Sequence, residues 1–180
     1  MKKGINFYSL PANRNYEDYL KLAKNAGFDG IELNVDGDGH SAHSLTLATT
    51  EDELKAIAGL SARHALPVVS ISTSLYGGLM GSRETNENGR AKQILLKQLQ
   101  CAKALGASGI LVVPGGISEE VSIAEAFETS AKTLASCMDA IKDYKICVGV
   151  ENVWNQFFTS AFDMKSFIDV LDKILERNDR

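Results

Sequence analysis

The sequence predicts an α/β protein built of consecutive parallel β-α units with barrel-type curvature. Three observations carry this. Short apolar runs alternate with segments of helical period along the whole chain, and two helix ends pass through a glycine directly into the next run. Several runs are also polar at every second residue. Alternation of strand and helix implies a parallel sheet with right-handed crossovers. No linker, low-complexity tract or second core interrupts the pattern, so residues 1–180 read as a single domain.

The strand candidates, in order, are Ile5–Leu10, Gly30–Val35, Val68–Thr73, Gly109–Pro114 and Ile146–Asn152. Between them the apolar period changes to that of a helix. The first helix carries Tyr16, Tyr19, Leu20 and Ala23 and ends near Gly27; the second carries Leu54, Ile57 and Ala58. The third carries Ile94, Leu95, Leu99, Cys101, Ala102 and Leu105. A fourth repeats Ala124, Phe127, Ala131, Leu134, Met138 and Ile141, and a fifth Met164, Phe167, Ile168, Leu171, Ile174 and Leu175. These stripes read as core. A weak internal repeat supports the scheme: residues 25–31 and 104–110 both run from helix end through glycine and a short turn into a strand.

Strand alternation points to a barrel. Ile31, Leu33 and Val35 share one face, and Glu32 and Asn34 the other; Val69 and Ile71 oppose Ser70 and Ser72; Ile146, Val148 and Val150 oppose Cys147, Gly149 and Glu151. A doubly wound sheet has helices on both faces and prefers both apolar. A barrel instead turns one face inward, where Asn6, Tyr8, Glu32, Asn34, Ser70, Ser72 and Glu151 can line a pocket.

Composition narrows the function classes. A content of 44% hydrophobic and 23% charged residues is that of an ordinary globular protein. A net charge of −4 with scattered basic residues argues against nucleic acid as partner. No run approaches the roughly 20 apolar residues that cross a bilayer, and the amino terminus lacks the apolar stretch of a signal peptide. Cys101, Cys137 and Cys147, an odd number without C-x-x-C spacing, read as reduced, buried thiols of a cytoplasmic protein.

The densest chemistry is Glu151-Asn152-Val153-Trp154-Asn155, which places a carboxylate, an indole and two amides at the end of the last strand. Other candidates are weaker. His40 and His43 lie with Asp36 and Asp38 in a Gly- and Ser-rich segment that lacks a calcium loop's downstream Glu, so a solvated loop is expected. His64, ahead of Pro67, reads as a helix cap. Pro114-Gly115-Gly116 offers backbone amides but lacks a P-loop's Lys-Ser/Thr. Tyr76–Gly81 reads equally as a mobile lid or a plain flexible loop.

With Gly27–Asn34, Ala104–Ala107 through Val112–Gly115, Val150–Asn155 and Ser160–Met164 in view, the chain resembles the xylose-isomerase-like TIM barrel superfamily of sugar and sugar-phosphate isomerases and epimerases. The resemblance runs to about Asp169 and implies a partial barrel, about five of eight β-α units. It implies a divalent metal (Mn, Mg, Co or Zn), with Glu151 as metal ligand and as the catalytic carboxylate that takes a proton beside a ketose carbonyl. Trp154 and Asn155 would border the sugar, and Glu32, Asn34 and Tyr8 would line its site. The family's later strands carry an aspartate, a histidine and a second glutamate that have no counterpart here, so metal binding is expected to be weak or absent and activity impaired. The alternative is a non-catalytic binding or assembly module, in which open sheet edges pair with another chain, a second copy included. A flavodoxin-like nucleotide-binding domain is a third reading, disfavoured by the Pro11–Asn15 loop; it requires the strand order 2-1-3-4-5.

Overall fold

The computed structural model describes residues 1–178, with side chains described as far as Ile174. The elements run β1 (Gly4–Asn6), α1 (Tyr16–Asn25), β2 (Gly30–Asp36), β3 (Leu45–Thr46), α2 (Glu51–Arg63) and β4 (Val68–Thr73). They continue with α3 (Thr85–Leu105), β5 (Gly109–Val112), α4 (Ile123–Ala135), α5 (Met138–Tyr144), β6 (Cys147–Val150) and α6 (Ala161–Asn178). The sheet order is β1-β2-β4-β5-β6, with the two-residue β3 added beside β2. Its registered pairs are parallel. The principal strands therefore follow one another in chain order, which overturns the flavodoxin-like reading. The sheet is open, with β1 and β6 at its ends among the described residues.

Register carries a local irregularity of consequence. Ile31 pairs with Val68, but Glu32 pairs with Ser70, so β4 spends one extra residue, Val69. Val69 was expected to pack with Ile71; instead it is 40% exposed. A Cβ on Gly30 would stand 2.7 Å from Val69 Cγ1, so the residue facing the extra position has no room for a side chain.

Three further expectations are corrected. The first strand stops at Asn6, because the Asn6 side chain accepts the Tyr8 N–H at 2.6 Å and caps a 3-10 turn over Phe7–Ser9. The fourth helix is two helices. The Ser136 hydroxyl donates to the Thr133 carbonyl at 2.6 Å, and Cys137 N–H folds back to Leu134 O, which ends α4 before α5 begins. On α6, Phe167 and Leu171 are buried but Ile168 is 37% exposed, outside the core stripe. Leu175 lies beyond the residues whose side chains are described.

By internal packing the chain divides into two compact units. Unit one comprises residues 1–75, 97–111 and 144–149. Its core gathers Phe7, Tyr19 and Leu20 with Ile31, Leu33, Ile71 and Leu99. Gln98, fully buried, donates to the carbonyls of Ile71 and Leu111, which fixes α3 to two strands. Unit two comprises residues 76–96, 112–143 and 150–180. Phe127, Phe157, Phe158 and Phe167 form its aromatic cluster, with ring centroids 4.8 to 5.8 Å apart.

The helix-to-strand connection is used three times in unit one. Phe28 N–H bonds Ala23 O, Leu66 N–H bonds Ser61 O and Ala107 N–H bonds Ala102 O, each closing the last helical turn. The turn requires a left-handed residue, supplied by Gly27 (φ 79) and Gly106 (φ 71) but by Ala65 (φ 47) after α2. An alanine there carries a steric cost that glycine avoids. Ala65→Gly is expected to raise stability by about 0.5–1 kcal/mol. The check is a urea unfolding midpoint that moves up with an unchanged slope.

Candidate functional site

In unit one, β1, β2 and β4 assemble a continuous polar row along one face of the sheet. Asn6 Nδ2 donates to Glu32 Oε1 at 2.5 Å and to Ser72 Oγ at 3.2 Å. Ser70 Oγ donates to Glu32 Oε2 at 2.5 Å, and Asn34 Nδ2 donates to Ser72 Oγ at 2.5 Å. Both Glu32 oxygens are thus held, leaving each with further lone-pair capacity. Asn34 and Ser72 are buried, while Glu32 and Ser70 are half-buried. On the opposite face Ile31, Leu33, Val35 and Ile71 are completely buried. One face is greasy and the other is a hydrogen-bonding surface suited to hydroxyl groups.

The same alternation continues one step further than the sequence reading took it. Asp36 follows Glu32 and Asn34 at the next inward position of β2 and is 1% exposed. Its carboxylate accepts from Tyr8 Oη at 2.6 Å, Ser44 Oγ at 2.8 Å and Ser74 Oγ at 3.1 Å. Tyr8 itself stands on the turn after β1, 45% exposed. Burial of its hydroxyl, and then the hydrogen bond to Asp36, push that phenol well above the ordinary tyrosine range. Asp36, Ser44 and Ser74 were not among the predicted site residues. The period-two series Glu32, Asn34, Asp36 was the available signal for the first of them.

The loop after β2 departs from the solvated loop that was expected. His40 is exposed and edge-on to Tyr8 at 6.1 Å, but His43 is buried, edge-on to Tyr19 at 4.6 Å and to Phe7 at 5.4 Å. Ala42 N–H donates to Ala12 O, tying the loop to the segment after β1. His64 does sit at the carboxyl end of α2, with Nε2 3.3 Å from Glu17 Oε1.

In unit two, Glu151 directly follows β6, and its N–H continues the ladder to Val112 O at 2.9 Å. Its residue is exposed, as are Trp154 and Asn155, with Trp154 at 96%. Asn155 Nδ2 donates to Pro114 O at 2.8 Å, and Asn155 Oδ1 accepts the Phe157 N–H. Phe157 and Phe158 are then buried in the aromatic cluster, which anchors the loop that presents Trp154. Gly115 makes room for this, since a Cβ there would meet Asn155 Nδ2 at 2.8 Å.

The two glycine loops of unit two pack backbone to backbone. A Cβ on Gly81 would lie 2.1 Å from Gly115 O, and one on Gly116 would lie 2.7 Å from Gly78 O. Asn88 Nδ2 donates to the carbonyls of Leu79 and Ser82, and Thr133 Oγ1 to that of Met80. Tyr76–Gly81 is thereby a tethered loop. Among the cysteines, Cys101 and Cys137 are buried but Cys147 is exposed, because it lies on the terminal strand of the sheet.

Among the described residues, no three His, Cys, Asp or Glu side chains converge to hold a metal ion. A divalent cation needs several oxygen or nitrogen ligands, so the donors among the described residues do not fit such an ion. Among the described residues no helix is long and apolar enough to cross a membrane.

The sequence profile described as "xylose isomerase-like TIM barrel" matches residues 20–177. No curated protein matches the chain. Among solved structures, D-psicose 3-epimerase in the presence of D-fructose superposes with a TM-score of 0.76 at 18% identity, covering 95% of this chain and 60% of that one. An L-ribulose 3-epimerase gives 0.73 at 23% identity, covering 96% and 58%. The IolI protein with a bound zinc atom gives 0.71 at 17%, covering 96% and 59%. The chain therefore spans about three fifths of the length of these structures, and the likeness is one of fold.

Burial holds the His43 imidazole below its ordinary pKa, against the opposing pull of the Phe7 and Arg14 carbonyls and of Asp36. A histidine with a depressed folded pKa binds its proton more readily unfolded. Stability is therefore full above the ordinary value of about 6.5 and declines as pH falls through it. His43→Phe is expected to flatten the thermal unfolding midpoint below about pH 6.5, where the parent chain loses stability.

Proposed function

The chain belongs to the xylose isomerase-like TIM barrel family, and from that premise we propose that it is a sugar or sugar-phosphate isomerase- or epimerase-related protein of impaired activity. The observation that carries this reading is the polar row of Asn6, Glu32, Asn34, Ser70 and Ser72. Its members are held in position by one another, as recognition of a polyol requires. The row is assigned the sugar's hydroxyls, with Tyr8 beside it. Within unit two, Glu151 is by itself the candidate carboxylate for a proton on the carbon next to a ketose carbonyl, with Trp154 and Asn155 as the aromatic and polar groups of its own loop. Because the donors among the described residues do not make a metal site, no step of this reading runs through a metal. The unpaired thiols Cys101, Cys137 and Cys147 suit a cytoplasmic setting.

Proton exchange tests it. D-Fructose or D-allulose incubated with the chain in D₂O, with and without Mn²⁺, is expected to lose its C3–H signal slowly by NMR. Glu151→Gln is expected to reduce the rate by at least about 100-fold. No exchange with either sugar under either condition excludes catalysis by this polypeptide.

One observation favours the second reading, a non-catalytic assembly module. β6 ends the strand order, and none of its residues is fully buried. A strand edge of this kind pairs readily with another chain. Sedimentation across a range of concentrations is expected to show self-association on that reading, and a monomer throughout overturns it.

A further inference from the structure

We propose that Asp36 is a positioning residue of the candidate sugar site, consuming the Tyr8 hydroxyl so that Tyr8 meets a sugar with its ring alone. The inference rests on the function proposed above for the polar row, and it assigns a role to a carboxylate that the row's own chemistry leaves unused.

Hydrogen-bond accounting leads to it. An ionised carboxylate only accepts, so in the 2.6 Å contact with Asp36 Oδ1 the Tyr8 hydroxyl must be the donor. A phenol has a single proton to give. The same oxygen accepts the Ser74 backbone N–H at 3.1 Å. Tyr8 thus has no proton left for a ligand. What remains outward is a ring 45% exposed, flanked edge-on by His40 at 6.1 Å. An aromatic face is electron-rich and attracts weakly positive C–H groups, which a sugar displays on the side of its carbon chain away from its hydroxyls. The adjoining row of amides, hydroxyls and carboxylate suits the opposite, hydroxyl-bearing side.

Asp36 is built to hold that ring still. It is 1% exposed, and its three hydroxyl donors come from three segments: Tyr8 after β1, Ser44 after β2 and Ser74 after β4. β1, β2 and β4 are neighbours in the sheet, so one carboxylate ties together the chain at the carboxyl ends of three adjacent strands. A buried charge with three donors is costly to disturb, which makes the geometry stiff.

The test uses the full chain with D-fructose as probe. In the parent protein the Tyr8 hydroxyl proton is expected as a slowly exchanging, downfield NMR signal, absent in Tyr8→Phe and lost or moved upfield in Asp36→Asn. Each of these two variants is expected to weaken D-fructose binding by a similar factor of about three to ten. The double variant is expected to be no weaker than either single one, as for two partners in one interaction. Tyr8→Ala, which removes the ring, is expected to bind more weakly than all of them. If Tyr8→Phe binds far more weakly than Asp36→Asn, the hydroxyl touches the sugar and the proposal is wrong. Additive losses in the double variant overturn it too, as does a hydroxyl signal indifferent to Asp36→Asn. If Asp36→Asn does not fold, Tyr8→Phe and Tyr8→Ala still decide the question, since equal losses from both would show that the ring contributes nothing. A parent chain that binds neither D-fructose nor D-allulose overturns the functional reading itself, and the hydroxyl signal then decides separately whether Asp36 holds Tyr8.

Discussion

One extra residue in β4 governs which side chains meet in unit one. With Ile31 opposite Val68, an unbroken parallel ladder would set Glu32 against Val69 and Asn34 against Ile71. Glu32 and Asn34 would then each lie beside an apolar residue of β4, and neither sheet face would be consistently apolar. The step at Val69 restores the match: Glu32 with Ser70, Leu33 with Ile71, Asn34 with Ser72. A carboxylate and an amide half- or wholly buried without hydrogen-bond partners cost several kcal/mol between them, roughly. Pairing them with serine hydroxyls removes that penalty and leaves the other face free to pack as core. Val69 accommodates the step by turning out to the surface, and Gly30 by having no side chain to collide with it.

The two units secure their loops by different physics. In unit one the loops after the strands are tied by charge: the buried Asp36 carboxylate collects hydroxyls from three segments. In unit two the corresponding work is done by close backbone packing and aromatic contact. Gly81 and Gly115 touch without intervening side chains, and Phe157 and Phe158 sink the segment following Asn155. Charge-tied loops are sensitive to single hydrogen bonds, whereas glycine contacts are sensitive to single methyl groups. Residues that a functional reading would claim are therefore also structural: Tyr8 donates its proton to Asp36, and Asn155 spends its amide on Pro114.

Much of the fold was legible because it is encoded locally. The order of units follows from the change of apolar period, and the ends of α1 and α3 were marked by glycines that adopt the left-handed conformation. Ala65 gives no such mark, although it occupies the same place in the same turn. The break between α4 and α5 was hidden, since apolar residues keep their period through Ser136 and Cys137 while side-chain hydrogen bonds to Thr133 end the helix. The burial of His43 is hidden in the same way, because a segment rich in Gly, Ser and Asp resembles a solvated loop, and only the Phe7 and Tyr19 rings show that part of it is core.

The sequence by itself determined the succession of parallel units, the polar face of β2 and β4, and the family to which they belong, because periodicity and short motifs are properties of neighbouring residues. The tertiary structure alone decided who the polar residues bind. The partners of Asp36 at Tyr8 and Ser74 lie 28 and 38 residues away, and no local pattern selects them. Nor does composition reveal the single-residue step in β4 that aligns Glu32 with Ser70. Register is settled by the free energy of the whole sheet, in which burying the apolar face and satisfying the polar one must succeed together.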